Sequence, residues 1–375
     1  MKIKDFMSFI KIGIKEEFVK GLTEMGIIEP SDIQSKIIPI LLSGETDIIG
    51  QAQTGTGKTA AFGLSLLHQI DLNKNEVQGL ILCPTRELGK QVAKQLFRYT
   101  KYSAKIFTEA VYGGEHIEKQ IKALTRTTHV VVATPGRLID LVNKKAVDLS
   151  HVKTVVLDEA DEMLSMGFKK ELDEILSFLP EVENKWLFSA TIPAGIKDII
   201  AKHMSVDAQH IKINPDNVVN KKIDHKYVVC EENEKLFMLI EFLKSEHKNR
   251  GVIFCKTKAA TKKLAKQLIA KNISTDAIHG DLLQKERDKV MRAFKGKKLQ
   301  YLVSTDVAAR GIDVEGLTFV VHYQLPESDE YYLHRSGRTA RAGKDGVSMS
   351  LVNKSEVKVL RNYERTLGIG FKQVR

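Results

Sequence analysis

Short apolar segments alternating with helical patterns most narrow the folds open to this chain of 375 residues. In the first half these segments are Asp47 to Gly50, Leu80 to Cys83, Val130 to Ala133, Thr154 to Leu157 and Trp186 to Phe188. In the second half they are Gly251 to Cys255, Thr275 to Ile278, Tyr301 to Ser304, Phe319 to His322 and Val347 to Leu351. Each of the first set ends at once in polar or glycine-rich residues, the pattern of parallel α/β units. The length exceeds what one hydrophobic core supports, so two lobes are expected. Pro215, with the polar residues around it and Asn220-Lys221-Lys222, marks a hinge. The expected domains are residues 1–213 and 227–375, joined by a linker over 214–226.

Two motifs at strand ends carry chemistry. Ala52-Gln53-Thr54-Gly55-Thr56-Gly57-Lys58-Thr59 follows one apolar strand and opens a helix. Glycines there let backbone N–H groups surround phosphate oxygens at a helix N-terminus, with Lys58 reaching the outer phosphates and Thr59 ligating Mg²⁺. The full pattern has Gly where this chain has Ala52, a small residue that leaves room for the turn. Asp158-Glu159-Ala160-Asp161 follows Thr154 to Leu157, at the carboxyl end of a buried strand, where open α/β sheets bind ligands. Two adjacent carboxylates there are costly without a cation, so Asp158 suits Mg²⁺ and Glu159 suits a water. Together the motifs predict binding and cleavage of a nucleoside triphosphate.

Composition bounds the setting. Hydrophobic residues make up 43% and charged residues 28%, as in soluble globular proteins. Cys83, Cys230 and Cys255 are widely spaced in or beside apolar segments and read as reduced core residues, which predicts a cytoplasmic protein. The eleven histidines lack metal-ligand spacing, and the N-terminus is neither a signal peptide nor a membrane anchor. The net charge of +11 is uneven: residues 1–213 hold 27 Lys+Arg against 27 Asp+Glu, and the remainder 31 against 20. A basic second half favours a polyanionic partner. Lys258, Lys262, Lys263 and Lys266, at helical spacing, are its candidate contacts.

From Phe9 to Gly346 the chain resembles the DEAD-box RNA helicases. The first lobe contributes the segment from Gly26 to Gln34, the glycine-rich loop, Pro84-Thr85-Arg86-Glu87-Leu88, Gly113-Gly114, Thr134-Pro135-Gly136-Arg137, the Asp158 tetrad and Ser189-Ala190-Thr191. The second contributes Val252 to Cys255, Gln284 to Arg287, Ser304-Thr305-Asp306, Ala309 to Asp313 and His334 to Arg341. The resemblance implies two tandem RecA-like parallel-sheet domains joined by a short linker, and ATP-dependent unwinding or remodelling of RNA through closure of the lobes.

It also implies roles. Arg338 and Arg341, three apart and so on one face if helical, clamp the γ-phosphate. Gln34 reads the adenine edge, with Phe9 and Ile27 beside it; Thr54, Gly55, Thr56 and Gly57 line the phosphates, and Gly311 and Asp313 the ribose side. Ser189 and Thr191 couple the phosphate site to lobe movement. RNA, as single strands and short duplexes, falls to Thr85, Arg86, Gly114, Thr134 and Arg137, joined by Gly280, Arg287 and Thr305. None of these groups reads base edges, so binding is expected to be sequence-independent and salt-sensitive.

The chain departs from the pattern at Ile27, where a Phe is usual, at Asp32 in place of Pro, and at Gly89 in place of Ala at a helix start. An ATP-gated RNA clamp with slow hydrolysis and a DNA motor are the rival functions. The last residue, Arg375, follows soon after the final motif, as expected of a core fragment whose protein partners act through further extensions.

Overall fold

A computed structural model describes residues 7–44, 46–52, 55–213, 222–309, 314, 316–340 and 344–374. The chain divides into two units, residues 1–215 and 216–375. The first is built on seven strands: β1 (Ile48–Gln51), β2 (Gly79–Leu82), β3 (Thr108–Val111), β4 (Val130–Ala133), β5 (Thr154–Asp158), β6 (Asn184–Ser189) and β7 (Gln209–Lys212). All pair in parallel, in the order β3-β4-β2-β5-β6-β1-β7. The second unit has β8 (Ile223–Val229), β9 (Gly251–Phe254), β10 (Thr275–Ile278), β11 (Tyr301–Ser304), β12 (Phe319–His322), β13 (Gly346–Val352) and β14 (Phe371–Gln373). Its order, β10-β11-β9-β12-β13-β8-β14, repeats the first sheet strand for strand, again wholly parallel.

Parallel sheets are covered by helices on both faces, so their central strands carry near-continuous apolar runs while still pointing alternate residues to opposite sides. The first sheet shows this directly. Ile48, Ile81, Val130, Val132, Val156, Trp186 and Phe188 join one apolar cluster. Ile49, Leu80, Leu82, Val131, Val155, Leu157 and Leu187 join the other. In the second sheet Ile253, Val303 and Val321 face one cluster and Val252, Leu302 and Val320 another.

The apolar segments read from the sequence all became strands, within a residue or two at their ends. Four strands escaped that reading: β3, β7, β8 and β14. Sequences such as TEAV and QHIK, and the alternating IDHKYVV, are half polar because β3, β7 and β14 are edge strands and β8 lies next to an edge. Strand β8 also takes in residues 223–226 of the segment assigned to the linker. The tail after Gly368 is edge strand β14, paired with β8. Cys83, Cys230 and Cys255 are free and buried.

A buried polar cluster ties β8, β12 and β13 to the helix Asp329–Ser336. His225 Nδ1 lies 2.7 Å from the Tyr332 hydroxyl, and His322 Nε2 lies 3.0 Å from Ser348 Oγ, which is also 3.0 Å from the Tyr332 hydroxyl. Burial lowers His225 to about 4, with Asp224 opposing it, and holds His322 well below the ordinary imidazole value, with Arg335 and His225 adding to the effect. Both rings are thus neutral in the fold, whereas the unfolded chain takes up protons below about pH 6.5. Their stabilisation is complete above that value and is lost as the pH falls toward 4. Stability should decline by up to about 1.4 kcal/mol per pH unit for each histidine over this window. Urea midpoints at pH 7 and pH 5 measure it, and equal midpoints would contradict the assignment.

Gly89 lies in the helix Arg86–Tyr99, and an added Cβ would meet only Val132 Cγ1, at 3.8 Å. The methyl group fits, so Gly89→Ala should stabilise the first unit by about 0.5–1 kcal/mol through reduced unfolded-chain entropy. A thermal melt that moves downward would show that the site is tighter than this contact implies.

Candidate functional site

The order of the first sheet places β6 between β5 and β1. In register, Asp158 pairs with Phe188 and Gln51 with Ser189, so the ends of three strands lie at one level of the sheet. The glycine-rich loop leaves β1, the acidic tetrad leaves β5, and Ser189-Ala190-Thr191 leaves β6 between them.

The loop runs into the helix Lys58–Gln69, whose N-cap is Gly57 in the left-handed region, φ 97°. A Cβ on Gly57 would stand 2.3 Å from Gln34 Nε2, so both backbone conformation and space demand glycine there. Gly55 is also left-handed, φ 81°. Ala52 is not among the positive-φ residues, which explains why Ala serves where the pattern has Gly. Its N–H donates to Ser189 O at 3.0 Å and its carbonyl accepts from Lys58 Nζ at 2.8 Å. Lys58 is thus folded onto the loop it serves, and Thr59 follows it in the first turn.

Asp158 is 2% exposed. Burial, and next the neighbouring Glu159, push its carboxyl up to about 7, against the pull of Lys58. The pull of Lys58 does not offset that burial, and a divalent ion at the carboxyl would. Among the described residues no three His, Cys, Asp or Glu side chains could hold a metal by themselves. Glu159 adopts φ 52°, ψ 51°, a left-handed conformation that costs a non-glycine residue about 1–2 kcal/mol. Strain of this kind concentrates at functional sites.

Ser189 and Thr191 are bonded to the tetrad. Thr191 donates to Asp161 Oδ2 from both N–H and hydroxyl at 2.9 Å, Ser189 Oγ accepts from the Asp161 N–H at 3.2 Å and donates to Thr191 O at 2.7 Å. Asp161 is therefore the link, a role the motif reading left unassigned.

Of the adenine-side assignments, that of Phe9 needs correction. Phe9 is completely buried in the apolar core, so its ring offers no face to a nucleotide. Ile27 is half-buried against the same core. Gln34 does not present a free amide: Oε1 accepts from the Ser31 N–H at 2.9 Å and Nε2 donates to Gly57 O at 3.0 Å, while Ser31 Oγ donates to Thr56 O at 2.7 Å. The segment braces the phosphate loop. Thr54, Gly311, Asp313 and Arg341 lie outside the described residues.

Of the first-unit residues that the resemblance assigns to RNA, Thr85 caps its helix by accepting from the Leu88 N–H at 3.3 Å, whereas Thr134 makes no capping bond. The Arg86 guanidinium carbon lies 4.6 Å from the centre of the Tyr112 ring, with Lys90 Nζ at 4.9 Å. Arg86 Nη1 donates to Gly114 O at 3.4 Å, and Gly114 is left-handed, φ 79°. Arg137 donates to Gln120 Oε1 at 3.0 Å and Glu115 O at 3.1 Å.

In the second unit Arg287 Nη2 donates to Ala308 O at 2.8 Å, and the Thr305 hydroxyl accepts from the Ala308 N–H at 3.4 Å. A Cβ on Gly280 would meet Lys258 Cε at 3.3 Å. Lys258 and Lys262 both bind Asp281, holding its carboxyl down at about 2, while Lys263 and Lys266 are exposed. The one-face argument for the arginine pair fails. The helix Asp329–Ser336 ends at the Gly337 cap, so Arg338 lies beyond it, its Nε on His334 O at 3.1 Å.

Arg335, one turn back, has no role of its own in the motif pattern. It is 2% exposed, donates through Nε and Nη2 to Asp306, the latter at 2.7 Å, and its guanidinium carbon is 5.1 Å from the centre of the Phe254 ring. It joins two of the second unit's motifs. Lys235 opens the helix after β8, as Lys58 does after β1, but it is buried against Glu232 at 2.9 Å and Glu356 at 3.5 Å. Carboxylates occupy the lysine's reach here, so the second sheet repeats the topology without the phosphate site.

Gln34→Ala would leave the Gly57 carbonyl and the Ser31 N–H without these partners. It should lower the nucleotide-free stability of the first unit by about 1 kcal/mol. A melting temperature equal to the parent's would return Gln34 to a role in nucleotide recognition alone.

Two family models match: DEAD/DEAH box helicase over residues 31–199 and Helicase conserved C-terminal domain over 234–343. The chain is 42% identical over 359 residues to the DEAD-box ATP-dependent RNA helicase CshA of Bacillus cereus, covering 96% of this chain and 68% of that protein. Its structure is similar to S. cerevisiae Dbp5 bound to RNA and ADP BeF3, with TM-score 0.91 and 31% identity over 98% of this chain and 95% of that one. It is also similar to Mss116p bound to ssRNA and AMP-PNP, with TM-score 0.88 and 27% identity over 100% of this chain and 81% of that one.

Proposed function

The chain belongs to the DEAD-box helicase family, and from that premise we propose that it is an ATP-dependent RNA helicase, binding RNA through its backbone and remodelling short duplexes as ATP is hydrolysed. The observation that carries this reading is the buried Asp158 at the end of β5, beside a strained Glu159 and one strand away from the glycine-rich loop.

The phosphates of ATP lie against the backbone N–H groups of Gly55, Thr56 and Gly57 at the helix N-terminus. Lys58 exchanges the Ala52 carbonyl for an outer phosphate oxygen. Thr59 and Asp158 would hold Mg²⁺, which would supply charge neutralisation to the phosphates. Glu159 accepts a hydrogen bond from the attacking water and orients it in line with the γ-phosphorus. Arg338 and Arg341 stabilise the charge on the transferred group, and because they belong to the second unit, turnover requires the two units to close on ATP. The bonds from Asp161 to Thr191 and Ser189 carry the state of the phosphate site into β6. Gly311 and Asp313 serve the ribose side.

RNA phosphates are met by Arg86, Arg137 and Arg287, with Thr85, Gly114, Thr134, Gly280 and Thr305 supplying hydroxyl and backbone contacts. Such contacts ignore base identity, and affinity falls steeply with salt. Among the described residues no helix is long and apolar enough to cross a membrane. The three buried thiols support a reducing, cytoplasmic setting.

Glu159→Gln tests the reading. It keeps the shape and the hydrogen-bonding capacity but cannot act as a carboxylate toward water. RNA-stimulated ATP turnover should fall by about 10²-fold or more while ATP remains bound. Unchanged turnover in this variant would remove Glu159 from the chemistry.

A further inference from the structure

We infer that Gln120 is a positioning residue that holds Arg86 and Arg137 in one arrangement for RNA, acting through Tyr112; this rests on the RNA-helicase reading above. Gln120 belongs to the helix Ile117–Leu124 and is its one buried residue, at 5% exposure. A primary amide at the place where an amphipathic helix normally sets a leucine is costly unless it is bonded. Here it is bonded three times. Nε2 donates to Tyr112 O at 3.0 Å, and Oε1 accepts from the Tyr112 N–H at 3.3 Å and from Arg137 Nη1 at 3.0 Å.

Tyr112 is the first residue past edge strand β3, and the amide grips both of its backbone polar groups, as a neighbouring strand would. The Tyr112 ring then lies under Arg86 and Lys90. The chain continues from Tyr112 through Gly113 to Gly114 and Glu115, whose carbonyls accept from Arg86 and Arg137 respectively. One buried amide therefore reaches both guanidinium groups, one directly and one through a ring and a backbone turn. Long side chains lose rotamer entropy when they bind a phosphate, and a support that orders them beforehand reduces that cost. Gln120 itself is too buried to touch RNA.

The test uses the full chain with Gln120→Met, which keeps the length and loses all three bonds, and Gln120→Glu, which keeps the acceptors and loses the donor to Tyr112 O. ATPase is measured against RNA concentration at several salt concentrations. For Gln120→Met the KM for RNA should rise about tenfold, with kcat at saturating RNA within about twofold and the KM for ATP unmoved, because only positioning is lost. The slope of log KM against log salt should become shallower by about one phosphate contact. Gln120→Glu should share the shallower slope, since its added charge holds Arg137 away from phosphate.

A merely structural Gln120 would lower the melting temperature and leave the KM for RNA and the salt slope in place, which overturns the proposal. If Gln120→Met fails to fold, the salt slope of Gln120→Glu decides alone: a parental slope overturns the proposal. A parent chain whose ATPase ignores RNA would instead refute the RNA-helicase reading from which this inference starts.

Discussion

Parallel pairing of β5, β6 and β1 is the constraint on which the first unit's chemistry depends. In a parallel sheet every strand ends on the same edge, and the connecting helices return on the faces. The register that sets Asp158 beside Phe188 and Gln51 beside Ser189 therefore gathers loops from distant parts of the chain. A one-residue slip would turn each apolar side chain to the opposite face. Trp186 and Phe188 are packed on one side and Leu187 on the other, so such a slip is resisted by the whole core.

Within that frame, the polar contacts of the site are mutual supports. The Gln34 amide fills the space beside Gly57 that a Cβ would take. Lys58 satisfies a loop carbonyl, and Thr191 saturates one oxygen of Asp161. What is left under tension is the pair at the end of β5: a carboxyl at Asp158 that burial makes reluctant to ionise, and a glutamate backbone in a left-handed conformation. Both features make sense as a site that is completed by a cation and an anionic ligand. The surrounding packing over-determines a geometry that is unfavourable by itself.

The second sheet shows how one topology serves two purposes. Its strand order repeats the first, yet the lysine that opens its first helix is enclosed by Glu232 and Glu356, and its connections instead hold an ion pair between the buried Arg335 and the half-buried Asp306. Removing Asp306 would leave the buried Arg335 guanidinium without its carboxylate, a costly state. That makes the pair a strong reason for the segments around Asp306 and Arg335 to keep one arrangement.

What the sequence determined by itself was local. Strands such as Val130 to Ala133, the glycine-rich loop ahead of Lys58, and the acidic pair after Leu157 are legible because their signals lie in consecutive residues or in a short periodicity. Edge strands β3, β7 and β14 were not, since a strand with one partner needs less apolar character. Nor did Phe9 or Gln34 reveal that each faces its own protein, or Arg338 that its helix ends before it. The contacts that order the site join residues 17, 23 and 30 positions apart: Arg137 to Gln120, Gln34 to Gly57, and Thr191 to Asp161. Hydrogen bonds at such separations are set by which strands are neighbours and in what register. Only the tertiary structure decides that, because it is the burial of two apolar faces at once, and not any local preference, that selects the strand order.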